Sequence, residues 1–225
     1  MNIMLIAATG AEVALTLAYL MERWAKTAEG SFHQGNISIR VLITGVGITA
    51  TTYHMSKALA TERFDLLFMA GIAGAYDRSI SLGELVFVTK EVPGDLGAED
   101  GYNFLDVFDL ALQPPDAPPF NGKWLTNPTD NLPLHIDLQQ VSGLTCNTVT
   151  GTSFTALERE KKYNPQIESM EGAALHYVAL LENIPFAQVR SISNYVGKRD
   201  RASWEIEMAV SNLNKWLINL LNTLC

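Results

Sequence analysis

Apolar positions repeat along this chain with two periods. Asn2–Ala8 is a short apolar run ending at Thr9-Gly10, the mark of a strand covered on both faces. Ala14, Leu17, Ala18 and Met21 then recur at helical spacing. Ile37, Ile39, Val41 and Ile43 alternate strictly, which is strand period, and Gly45-Val46-Gly47 marks the turn into a helix over about Thr49–Thr61. Leu66–Ala70, closed by Gly71-Ile72-Ala73-Gly74, and Leu85–Val88 read as strands. Further on, strands are expected at Leu144–Val149, Ile167–Met170 and Pro185–Ile192. Helices are expected at Ala156–Tyr163, Gly172–Glu182 and Trp204–Leu224. This alternation predicts one α/β domain over 1–225, with a central mixed, mostly parallel twisted sheet flanked by helices.

From Pro93 to Pro133 the periodicity stops. Seven prolines, at 93, 114, 115, 118, 119, 128 and 133, preclude regular helix through most of it. A long segment without a core pattern is expected to be an irregular loop or lid over about 93–133. The N-terminal run has no Lys or Arg before it and is interrupted by Glu12. It is therefore read as a buried strand, not as a secretion signal or membrane span.

Composition narrows the class. The chain has 225 residues, 48% hydrophobic and 18% charged, which is ordinary for a globular protein. A net charge of -8 argues against nucleic acid or an anionic membrane as partner. Only Cys146 and Cys225 are present, so no disulfide framework is expected and a cytoplasmic location fits. No metal-ligand spacing is visible, and neither metal nor cofactor is expected.

Ligands of open α/β sheets sit at the carboxyl ends of strands. Glu12, Gly45–Ala50, Gly71–Ala75, Met170-Glu171-Gly172 and Arg190–Asn194 all follow predicted strands. Gly45-x-Gly47-x-x-Ala50 has the outline of a dinucleotide fingerprint, but it follows the second strand and Asp65 precedes the strand it should close. Glycines there serve a sharp turn equally well. Glu171 sits where a strand becomes a helix; its carboxylate either faces a cleft or complements the helix dipole. Asn194 and Glu12 carry the same ambiguity as capping residues.

Taken in order, Glu12-Val13, Gly71–Gly74, Ser169-Met170-Glu171-Gly172-Ala173-Ala174 and Arg190-Ser191-Ile192-Ser193-Asn194 resemble the nucleoside phosphorylase/nucleosidase superfamily, in particular its methylthioadenosine/S-adenosylhomocysteine nucleosidase branch. The longer run Arg190–Gly197, with Arg199-Asp200 and Trp204, is similar to the signature of the futalosine hydrolases. The resemblance covers nearly the whole chain. It implies a cofactor-free N-ribosyl hydrolase that releases hypoxanthine from futalosine, a 5′-substituted inosine of an alternative menaquinone pathway. A methylthioadenosine nucleosidase or a purine nucleoside phosphorylase is the alternative, and a non-catalytic nucleoside binder stands further off. The resemblance also implies a homodimer or higher homo-oligomer, in which a neighbouring subunit can complete the 5′ pocket.

By the same resemblance, Glu12 activates water and Asn194 faces purine N7. Glu171 holds the ribose hydroxyls while Met170 packs on the sugar. Phe154 stacks on the base, and Ala73, Gly74 and Arg190 complete the substrate site. The chemistry suits these residue types. Breaking an N-ribosidic bond passes through an oxocarbenium-like sugar, helped by a base for water, a grip on ribose and relief of charge on the departing purine. Asn194 stands where adenine-specific relatives have Asp. An amide can donate from its NH₂ to N7 and to O6 of a 6-oxopurine, so the position favours hypoxanthine. The exits Ala7–Glu12 and Gly45–Ala50 contain no Arg to clamp phosphate, which favours hydrolysis. Arg199, or Lys198, is a candidate for the carboxylate on the 5′ side, with a solvated basic turn as the competing reading. Trp204, Tyr102, Phe104 and Phe108 are candidates for the apolar part of that pocket.

Overall fold

The structure, a computed structural model, describes residues 1–28 and 30–224; Cys225 lies outside the described residues. The elements are β1 (Asn2–Ala7), α1 (Ala14–Arg23), β2 (Ala25–Ala28), β3 (Ser31–Gln34), β4 (Ile37–Ile43), α2 (Ile48–Leu59), β5 (Leu66–Ala75) and β6 (Leu85–Pro93). They continue with β7 (Gly97–Asp100), β8 (Asn103–Asp106), β9 (Leu125–Thr126), β10 (Gln139–Thr145), α3 (Ser153–Tyr163), β11 (Ile167–Ser169), α4 (Gly172–Glu182), β12 (Phe186–Tyr195) and α5 (Ile206–Leu224).

β1 shows why the first apolar run is unbroken. Ile3, Leu5 and Ala7 face Leu20 of α1 and Leu213, Leu217 and Leu221 of α5. Met4 and Ile6 face the other way, onto Met55 of α2 and Leu175, Val178 and Ala179 of α4. Successive side chains point to opposite faces, and helices cover both.

The sheet runs β11-β10-β6-β12-β5-β1-β4-β3-β2. It departs from the expected open, mostly parallel sheet in two ways. β11 also pairs with β5, Ile167 opposite Ala75 and Glu168 opposite Gly74, so five strands close into a barrel. The sheet is also evenly mixed: β11–β5, β12–β6, β6–β9, β3–β4 and β2–β3 are antiparallel. Closure has a local cause, because β5 and β12 are long and paired over nearly their full length. A bulge between Ile192 and Asn194 bends β12, and bulges re-aim side chains where a sheet must curve. Gly71–Gly74 and Arg190–Asn194 therefore lie inside strands, not in the turns after them.

The 93–133 segment is more ordered than its prolines suggest. It holds the β7–β8 hairpin and β9, which pairs with β6. Phe120 and Leu125 pack on Ala173 of α4. Asp106 caps the turn after β8 by accepting from the amides of Phe108 and Asp109. Among the described residues no helix is long and apolar enough to cross a membrane.

Candidate active site

A cleft of about 290 Å³ opens where β5, β11 and β12 meet the turn after β1. It is lined by Glu12, Ala73, Gly74, Met170, Glu171 and Asn194, with Trp204, Ile206 and Val210 on its apolar side. Six residues proposed from sequence thus converge on one space, from positions up to 182 residues apart.

Glu12 sits in the turn before α1 and is only 8% exposed. Its Oε2 accepts from the Thr9 amide at 2.9 Å and the Thr9 hydroxyl at 3.1 Å, and its Oε1 accepts from the Ile72 amide at 3.2 Å. Three neutral donors orient the carboxylate, and among the described residues no cation pairs with it. Glu171 is the residue before α4. Its Oε1 accepts from the Gly47 amide at 3.1 Å, and its Oε2 accepts from Arg190 Nη1 at 3.3 Å. The Gly45–Ala50 turn is thereby explained. Gly47 has φ +91, and its amide serves a carboxylate 124 residues away.

Arg190 is 1% exposed and lies behind the cleft. Its Nη1 also points at the Ile72 carbonyl, and its Nη2 at the Met69 sulfur. A Cβ on Gly71 would come within 2.4 Å of Arg190 Nη1 and 2.8 Å of Glu12 Oε1. Glycine is present there so that two charged groups can approach one strand.

Asn194 is half-buried at the bulge of β12. Its Oδ1 lies 2.8 Å from the Ser193 hydroxyl, and its Nδ2 donates to the Tyr195 carbonyl at 3.3 Å. Gly74 gives it room, since a Cβ there would meet Asn194 Nδ2 at 3.0 Å.

Like Arg190, several other proposed residues lie outside the lining. Phe154, on the first turn of α3, is 58% exposed and faces a separate depression beside Tyr102 and Phe104. Arg199 is exposed at the rim, its guanidinium 5.8 Å from the Trp204 ring. Phe108 packs edge-on against Phe120, away from the cleft.

Sequence reasoning did not single out Glu168, which lines the cleft and accepts from Tyr76, the Thr150 amide and hydroxyl, and Arg159. Burial and the Glu168 charge push the Tyr76 phenol up. Nor did it find Glu91, His176 and Gln188, all fully buried behind Glu171. In the sequence His176 and Gln188 show only as polar residues among apolar neighbours, and Glu91 as the end of the polar step Thr89-Lys90-Glu91. Among the described residues, no three His, Cys, Asp or Glu side chains are grouped as metal ligands.

Residues 2–225 match the family model described as the phosphorylase superfamily. The chain belongs to the phosphorylase superfamily. Among members of this superfamily, it is 33% identical over 182 residues to the futalosine hydrolase of Thermus thermophilus, covering 80% of each chain. It is 29% identical to the 5′-methylthioadenosine/S-adenosylhomocysteine nucleosidase of Anoxybacillus flavithermus, over 96% of this chain and 100% of the other. The superfamily fold is also seen in the native structure of futalosine hydrolase from Helicobacter pylori, at TM-score 0.78 and 16% identity over 99% of this chain and 98% of that one. The S-adenosylhomocysteine nucleosidase of Streptococcus pyogenes, in complex with 5-methylthiotubericidin, gives 0.80 and 17%, over 100% and 98%.

Proposed function

We propose that this protein hydrolyses the N-glycosidic bond of futalosine and releases hypoxanthine. The observation that carries the reading is an asparagine amide, Asn194, in the same cleft as two buried carboxylates held in different ways. The likeness to futalosine hydrolases over four-fifths of the chain supports it.

The geometry gives each group a task. Glu12, bonded only by neutral donors, takes a proton from the water that attacks C1′ as the bond to N9 breaks. Glu171 accepts hydrogen bonds from the ribose hydroxyls, and Arg190 keeps it aimed. Met170 packs on the sugar. Asn194 gives up the Tyr195 carbonyl and donates from Nδ2 to N7 and O6, so hypoxanthine leaves as an anion stabilised by an amide and is then protonated by solvent. No Lys or Arg lines the cleft among the described residues, which suits water over phosphate as nucleophile. Trp204, Ile206 and Val210 form an apolar bed for the aromatic 5′ group, with Arg199 at the rim for its carboxylate.

Val46 and Val149 line the mouth of the cleft yet stay largely exposed, and Phe154 is also exposed near by. Such apolar surface beside a site supports a homo-oligomer whose second copy completes the 5′ side. The reading carries with it a cytoplasmic enzyme of menaquinone biosynthesis by the futalosine route.

The test is futalosine turnover in phosphate-free buffer with chelator. Hypoxanthine should appear at an undiminished rate. A strict phosphate requirement with ribose 1-phosphate as product, or faster turnover of methylthioadenosine, overturns the reading. So does tight binding without bond cleavage.

A further inference from the structure

Behind Glu171 a row of buried polar side chains holds one proton too few. His176, fully buried on α4, places Nδ1 2.9 Å from the Leu125 carbonyl. A carbonyl only accepts, so Nδ1 carries the proton and Nε2 of the neutral ring is an acceptor. The Gln188 side chain of β12 faces that ring. Its Nε2 donates to Glu91 Oε1 at 2.9 Å, which turns its Oε1 away from Glu91. Glu91 Oε2 accepts from the Thr145 hydroxyl at 2.9 Å, and Thr145 Oγ accepts from the Ala173 amide at 2.7 Å. Among the described residues, neither His176 Nε2 nor Gln188 Oε1 has a hydrogen-bond partner. Two acceptors stand buried and unanswered, a costly arrangement.

One added proton answers both. Put it on Glu91 and turn the Gln188 amide over, which exchanges its O and N in the same space. The Glu91 hydroxyl then donates to Gln188 Oε1, Gln188 Nε2 donates to His176 Nε2, and His176 Nδ1 still donates to Leu125. Both orphaned acceptors are then answered, and no member of the Glu91–Gln188–His176 row is charged. The alternative, a protonated His176 facing an ionised Glu91 through the amide, needs two charges in a dry core. Burial opposes both charges, raising Glu91 to about 7 and lowering His176 to about 4.

This row touches the site. A Cβ on Gly172, the residue after Glu171, would fall 1.9 Å from Glu91 Oε1, and one on Gly143 would fall 2.3 Å away. The Glu91 carboxyl thus packs directly beneath the start of α4. The ionisable groups that bear on it are Arg190 of β12, Glu171 before α4, His176 of α4 and Cys146 after β10. Arg190 attracts a Glu91 charge and Glu171 repels it.

We propose that Glu91 is a positioning residue that works as a neutral acid: its proton completes the Glu91–Gln188–His176 row and leaves the Arg190 guanidinium to Glu171 alone. When Glu91 ionises, a second carboxylate draws on the same Arg190, and the start of α4, which carries the ribose-holding Glu171, loses its fixed seat. The catalytic consequence rests on the reading of Glu171 given above; the protonation itself does not.

The experiment uses the full chain and the variants Glu91→Gln and Glu91→Ala, with futalosine as substrate. Wild-type kcat/KM should fall as pH rises through about 7, carried by KM more than by kcat. Glu91→Gln, neutral at every pH and able to make the same bonds, should lack that fall. Glu91→Ala should raise KM roughly tenfold, since it leaves Thr145 and Gln188 unpaired, and Glu91→Gln should restore it. Superimposable pH profiles for wild type and Glu91→Gln overturn the proposal. Infrared difference spectra supply a readout independent of turnover. A protonated-carboxyl band present in wild type at about pH 6 and missing from Glu91→Gln supports the neutral acid; no difference refutes it. If futalosine is not the substrate, the spectra still decide the protonation.

Discussion

Glu171 and Glu91 are buried carboxylates on either side of the start of α4, and they handle burial in opposite ways. Glu171 faces the cleft and is paired with a cation, held by Arg190 and the Gly47 amide. Glu91 faces the core, with an amide and a hydroxyl as partners, and burial pushes its pKa up to about 7. A cationic partner is supplied where a ligand can use the carboxylate, and neutral partners where only packing is served. The two share one guanidinium, so the comparison is open to experiment by changing Arg190 or either acid.

The largest effect is expected from Arg190→Met. It removes the cation but leaves Glu171 buried, and breaking a buried pair from one side typically costs about 3–5 kcal/mol. Urea denaturation should show that loss, and activity should vanish with it. A stable, active Arg190→Met protein would mean that Glu171 does not depend on the pair.

Glu12 supplies a third case, a buried carboxylate held by Thr9 and Ile72 with no cation among the described residues. Glu12→Gln keeps the size and can still accept on one side. Losing the general base should cost about 10²–10⁴-fold in kcat with a smaller effect on binding. Folding stability should move little. Near-wild-type turnover would remove Glu12 from its assigned role.

Much of this contrast was legible in the chain before the structure, and the missing part has a physical reason. Glu12 and Glu171 sit at strand-to-helix turns, where apolar periodicity breaks and a polar residue stands out. α4 falls on Gly172–Glu182, as its periodicity predicts. In the sequence Gly71–Gly74 reads as the close of the Leu66–Ala70 strand, because sequence cannot tell a glycine that bends the backbone from one that admits Arg190 and Glu12 beside a strand. That error shortened β5 and, with the three-residue β11, hid the closure of the barrel. His176 and Gln188 each lie singly among apolar neighbours, and Glu91 follows the polar pair Thr89-Lys90. Nothing local distinguishes them from solvent-facing positions; only the fold brings them together.

The Glu91 row should also show in the pH dependence of stability. The folded chain holds the Glu91 proton up to about 7, while the unfolded chain releases it near 4.5. The contribution of Glu91 is therefore complete below pH 4.5 and is lost as pH rises through about 7. His176 runs the other way: its folded value is about 4 against 6.5 unfolded, so its contribution is complete above 6.5 and lost as pH falls through about 4. Between 4.5 and 6.5 the two nearly cancel in wild type. Glu91→Gln removes one side. Its stability relative to wild type should rise with pH over that window, by on the order of 3 kcal/mol between about pH 4.5 and 7. Parallel stability curves for the two proteins would contradict the raised Glu91.

The smallest effect is expected at the base end of the cleft, where Asn194 has no charge partner. Its amide supplies donors for N7 and O6, so the wild type should prefer an inosine over the matched adenosine. Asn194→Asp offers one donor only when protonated, and one acceptor for a 6-amino group. Ionised, it would repel O6, so the variant should lose activity on inosine first. The preference should narrow or reverse, a change on the order of tenfold or more, because an unpaired polar contact in a buried site costs about 1–3 kcal/mol. The measurement is kcat/KM for matched 5′-substituted inosine and adenosine on both proteins. The Ser193 hydroxyl, 2.8 Å from Oδ1, remains to orient either side chain, so the comparison isolates the amide nitrogen. An unchanged ratio would move base selection away from Asn194, to the backbone of Ala73 and Gly74 on the opposite wall.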